Sequence, residues 1–150
     1  MKKKPYEVDV WRTHNTFEDL KILKNFLNNI RTKNPTVKSK EILAMTLESL
    51  PMEKISELSF RDGKIFVKFP DEEIVIKPNT NGKPQLFTLY LANLRPSVCQ
   101  SFLNNLGPDI SLIFPQISIN GIHVITSQEK DGEFHVLCKN EVNVLSIEDF

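Results

Sequence analysis

The apolar positions change their period along the chain, from one residue in every three or four to every second residue. In "NTFEDLKILKNFLNNIR", Leu20, Ile22, Leu23, Phe26, Leu27 and Ile30 cover nearly half a helical circumference. Asn15 or Thr16 as N-cap, with Glu18 or Asp19 closing a capping box, predicts that this helix begins near residue 15. An arc that wide predicts burial on more than one side. A second helix is predicted over about Lys38 to Leu50, with Ile42, Leu43, Thr46, Leu47 and Leu50 on one face, Pro35 ahead of it and Pro51 ending it.

Alternation then takes over. "ELSFR", "KIFVKF", "EIVIKP" and "QLFTLYL" read as strands, and so do "ISLIF", "ISIN", "IHVITS", "EFHVLC" and "VNVLSI". Between the two groups of strands lies a further helix at about 97–106, with Val98, Cys99, Phe102, Leu103 and Leu106 on one face. Pro96 suits its first turn, Gly107 its C′ position, and Pro108 stops it. The predicted architecture is a single α+β domain spanning residues 1–150: two N-terminal helices, antiparallel hairpins forming a meander, and the extra helix between strand groups.

Four of the five glycines follow Asn or Asp: Asp62-Gly63, Asn81-Gly82, Asn120-Gly121 and Asp131-Gly132. Such pairs accept positive φ and mark tight hairpins. With every glycine placed in a turn or cap, none remains for a phosphate-cradling loop, and HExxH, CxxC and GxSxG are absent as well. No cofactor or metal site is expected.

The segment "GIHVITSQEKDGEFHVLC" sets two histidines close to a cysteine, which raises the question of a metal or catalytic site. A three-residue loop, Lys130-Asp131-Gly132, gives the cleanest register, with Ile122, Val124 and Thr126 against Phe134, Val136 and Cys138 on one apolar face. His123 and His135 then lie on the wetter face, four residues apart along the ladder and roughly 13 Å from each other. One metal ion cannot hold both. The carboxylates Asp71, Glu72 and Glu73 read as a solvated turn.

Composition is ordinary for a globular domain: 40% apolar, 25% charged, 19 basic and 19 acidic residues. Two cysteines are too few for a disulfide framework, so thiols in a reducing compartment are the default. The start "MKKKPYEVDVW" has a basic beginning, but Pro5, Glu7 and Asp9 stand where a signal peptide is apolar. The longest uncharged run, Ile110 to Gln128, is interrupted by Pro115, Gln116, Asn120, Gly121 and His123. A cytoplasmic protein without a membrane partner is expected.

Charge distribution supplies the candidate surfaces. Residues 84–128 hold only Arg95 and Asp109 as full charges, where average composition would supply about eleven. Large apolar groups remain, among them Leu86, Phe87, Tyr90, Ile113 and Phe114, and charge depletion with retained aromatics marks the centre of an interface. These five are the candidate contacts of a non-catalytic protein-interaction module of the adaptor, secretion-chaperone or small-effector kind, binding another protein or a second copy of itself. Between Leu20 and Lys40 stand six cations and no acid: Lys21, Lys24, Arg31, Lys33, Lys38 and Lys40. They offer phosphate contacts, which makes nucleic-acid binding the alternative. A second alternative is an enzyme whose site assembles from distant residues such as His14, His123 or Glu72.

Overall fold

The computed structural model describes residues 5–79, 83, 85–106, 108–124 and 137–150. Its elements are α1 (Pro5–Lys33), α2 (Ser39–Ser49), β1 (Leu58–Arg61), β2 (Lys64–Val67), β3 (Glu72–Pro78), β4 (Phe87–Leu94), α3 (Pro96–Asn104), α4 (Pro108–Ile113), β5 (Ile117–Ile119), β6 (Ile122–His123) and β7 (Asn143–Ile147). The expected α+β class is what these elements form.

All described strands join one antiparallel sheet in the order β1-β2-β3-β4-β7-β5-β6. The first four strands form a meander. After α3 and α4 the chain lays down the β5-β6 hairpin, and β7 inserts between that hairpin and β4. Two of the tight turns fall where the glycines placed them. Asp62-Gly63 (φ 54° and 72°) joins the pair Arg61 and Lys64, and Asn120-Gly121 (φ 52° and 82°) joins Ile119 and Ile122. Asn81-Gly82, Asp131-Gly132, Gly107 and the middle of the expected 122–139 hairpin lie outside the described residues; at its described ends the expectation fails, since Leu137 to Lys139 are not a strand, Ile122–His123 pairs with β5, and Ile122 is exposed while Val124 is buried.

One face of the sheet carries the core. Val67, Ile74, Leu89, Leu91, Ile119, Leu145 and Ile147 are buried on it, facing Phe17, Leu20, Leu23 and Leu27 of α1 and Val98, Phe102 and Leu103 of α3. Phe17 meets Phe102 edge-on with ring centroids 5.7 Å apart. Phe114 and Phe150 stack at 5.8 Å, which closes the core below the helices.

Three expectations need correction. First, α1 begins at Pro5 rather than near residue 15. Thr16 caps nothing: its hydroxyl donates to the Arg12 carbonyl one turn back, and Thr13 donates to Val10 and Ser101. The earlier turns are held by tertiary contacts, because Asn105 after α3 donates to the Val10 carbonyl and Arg12 pairs with Glu57 before β1.

Second, "ISLIF" is not a strand. A strand would turn Ile110, Leu112 and Phe114 to one side, whereas Ile110 and Phe114 are buried and Leu112 is 81% exposed. That is the i, i+4 spacing of a helix, and Pro108 and Asp109 occupy the first turn of α4, where both residue types are favoured.

Third, Cys99 and Cys138 form a disulfide. Each sits on an apolar face, Cys99 on α3 and Cys138 in the turn 137–143 ahead of β7, and the fold brings those faces together. Two isolated cysteines gave no framework to read, so free thiols in a reducing compartment no longer follow from the cysteine count. Among the described residues no helix is long and apolar enough to cross a membrane.

Candidate interaction surface

The helices take one face of the sheet and leave the other to be finished by its own side chains. Alternation along β4 buries Phe87, Leu89 and Leu91 and turns Thr88, Tyr90 and Ala92 outward. Strand register then lines up an outward row across five strands: Val75 beside Tyr90, Tyr90 beside Ser146, Ser146 beside Ser118, and Ser118 beside His123. Val75, Ser146 and Ser118 are half-buried, and Tyr90 is 37% exposed at the centre. Ala92 and Val144 extend the uncharged area.

Charged groups gather around this centre. On the β1-β2 side, Arg61 stacks over the Phe66 ring at 4.1 Å, and Lys64 is exposed. Glu73 is paired with Phe66, Lys77 is paired with Thr88, and Glu148 follows β7. Thr88 is buried because its hydroxyl donates to Asn79, whose amide in turn donates to Asp149, an acceptor also for Lys83 at 2.9 Å. This polar chain closes one end of the face.

The five residues expected to carry an interface are divided by the fold. Phe87 and Phe114 are each 1% exposed and belong to the core. Ile113 packs against that core, and Leu86 is half-buried before β4. Tyr90 is the most exposed of the five. The charge-poor segment therefore supplies the central strand β4, the helices α3 and α4 and the edge hairpin, and Tyr90 is its outward-facing group at the middle of the sheet.

The basic segment is divided too. Lys24 donates to the Ile113 carbonyl at 2.9 Å and lies 5.3 Å from the Phe114 ring centroid. Burial, and after it the Arg31 guanidinium, push the Lys24 ammonium below its ordinary range, with Asp149 acting against them. Arg31 donates to the carbonyls of Gln85 and Phe150, at 3.1 and 2.7 Å, and to the Asn28 side chain. Burial lowers its pKa as well. These two cations bind their own chain. Lys33, Lys38 and Lys40 are exposed around the α1-α2 connection, and Lys21 leans toward Glu18 at 3.6 Å.

The residues named for a dispersed active site do not meet. His14 lies on α1, 3.9 Å from Glu18 on the same helix. Glu72 begins β3 and His123 ends β6, with β4, β7 and β5 between them, a separation of roughly 19 Å at the usual strand spacing. His135 lies outside the described residues, and among the described ones no group of His, Cys, Asp and Glu could hold a metal ion.

What the sequence left unmarked is the buried polar framework. Asp19 is 2% exposed and accepts from the backbone N–H groups of Ser56, Glu57 and Leu58, while Glu57 receives both Arg12 nitrogens at 2.9 and 3.0 Å. Only their partners, about 40 residues away along the chain, distinguish these carboxylates from surface ones. Comparison of the chain with family models, with curated proteins and with solved structures returns no match.

Proposed function

We propose that this protein is a non-catalytic interaction module, and that its contact surface is the outward face of the sheet around Tyr90. The observation carrying this reading is an uncharged centre with an exposed tyrosine on the central strand β4, edged by Arg61, Lys77 and Glu148. Interface centres are depleted in charge and enriched in Tyr, with a polar rim around them. Rigid strands hold the surface, so little ordering entropy is lost when a partner binds. That partner is another protein or a second copy of this chain.

The test compares wild type with Tyr90→Lys and Val144→Lys. Light scattering reads self-association, and a pull-down against candidate proteins reads hetero-association. Both variants should keep the wild-type melting temperature and lose the association. A wild-type chain that is monomeric and captures no partner, or variants that bind as wild type does, would remove this reading.

A further inference from the structure

The Cys99–Cys138 bridge lies deeper than a reagent can reach, since the two cysteines are 0% and 4% exposed. Thiol–disulfide exchange needs a thiolate in line with a sulfur atom, so something must open first. Among the described residues, a pair of asparagines ties down the Cys138 side. Asn143, fully buried at the start of β7, donates to the carbonyls of Leu94 and Asn140 and accepts from the Asn140 N–H. Asn120, in the β5-β6 turn, donates to the Leu137 carbonyl beside Cys138 and to the Asn143 side chain, and accepts from the Val144 N–H.

The turn 137–143 is thus tied to β4, the β5-β6 turn and β7 by polar contacts independent of sulfur. Leu94 leads directly into α3, which carries Cys99. The two asparagines and the bridge therefore fasten the same corner twice.

We propose that Asn120 and Asn143 form a latch that controls the redox chemistry of Cys99–Cys138, so that local opening of the turn, rather than unfolding of the domain, admits a reductant. In the reaction with a dithiol, a reagent thiolate attacks one sulfur and releases the other as thiolate. The second reagent thiol then displaces the first cysteine. Cys99 and Cys138 end as thiols, their hydrogens come from the reagent, and the reagent closes its own disulfide.

The test is the rate of bridge reduction by dithiothreitol in the absence of denaturant, followed by alkylation and intact mass. Asn143→Ala removes the central amide. Asn120→Gly removes the other while keeping a residue at ease with positive φ. Ile42→Ala, in α2 at the far side of the core, lowers global stability without touching the turn.

Each asparagine variant should accelerate reduction by about tenfold or more, the effect of losing buried amide hydrogen bonds. Ile42→Ala should leave the rate within about twofold. Equal acceleration by all three would assign reduction to global unfolding and overturn the proposal, as would asparagine variants reduced at the wild-type rate.

Discussion

The Asp19 carboxylate accepts the Glu57 backbone N–H at 2.6 Å, and its two neighbours in sequence, Ser56 and Leu58, donate to the same side chain. A helix residue thereby satisfies three successive N–H groups at the entry to edge strand β1, of which Leu58 is the first residue. Asp19→Ala should destabilise the protein by about 3 kcal/mol, since buried donors without an acceptor cost on the order of 1–3 kcal/mol each, with water meeting part of the need. Asp19→Asn, which keeps one acceptor oxygen, should lose roughly half as much. Urea unfolding gives both values, and a loss below 1 kcal/mol for the alanine variant would show that the carboxylate is not needed there.

Arg12 and Glu57 make a second tie between α1 and the approach to β1, with Glu57 6% exposed and Arg12 also 5.1 Å from the Phe69 ring centroid. Arg12→Met alone should cost about 3–5 kcal/mol because it strands a buried carboxylate. The double variant Arg12→Met with Glu57→Leu should recover most of that. A double variant as unstable as the single one would place the contribution in the Arg12 stem packing instead.

In α4 and the residue after it, opposite outcomes are expected two positions apart. Phe114→Ala removes a ring stacked on Phe150 and 6.5 Å from Phe17, and should cost about 3–5 kcal/mol. Leu112→Glu, on the exposed side, should change stability by less than about 0.5 kcal/mol. Thermal unfolding of the pair distinguishes the helix from the alternating strand, for which both positions would be sensitive.

Lys24 predicts a pH effect with a definite sign. Its folded pKa lies below the unfolded 10.5, so between the two values the unfolded chain binds more protons and stability rises with pH. The burial penalty on the ammonium is fully present at neutral pH and is relieved as pH approaches 10.5. Lys24→Met should flatten the rise expected of wild type as pH climbs toward 10.5. Parallel pH profiles for the two proteins would contradict this.

Period was enough to find α2, α3 and the strands of the meander, because there local spacing and tertiary demand agree. It failed where another element decided. The turns of α1 before residue 15 are held where Asn105, Ser101 and Glu57 bind Val10, Thr13 and Arg12, and Thr16, which reads as a cap in the sequence, donates back to the Arg12 carbonyl instead. Residues 110–114 contain an apolar run short enough to suit either period, and the exposure of Leu112 resolved it. For the candidate surface, charge depletion marked a segment as a whole and could not separate its two faces. Phe87 and Tyr90 lie three residues apart and face opposite ways.

The order of the strands also bears on how the chain is made. Among the described residues no ladder joins β4 to the β5-β6 hairpin directly; β7 supplies both contacts, and it follows both of them in the chain. Until then the meander ends on an unpaired strand and the hairpin has no sheet to join. Nascent chains stalled before residue 143 should therefore expose the free edges of β4 and of the hairpin together and need a holding chaperone.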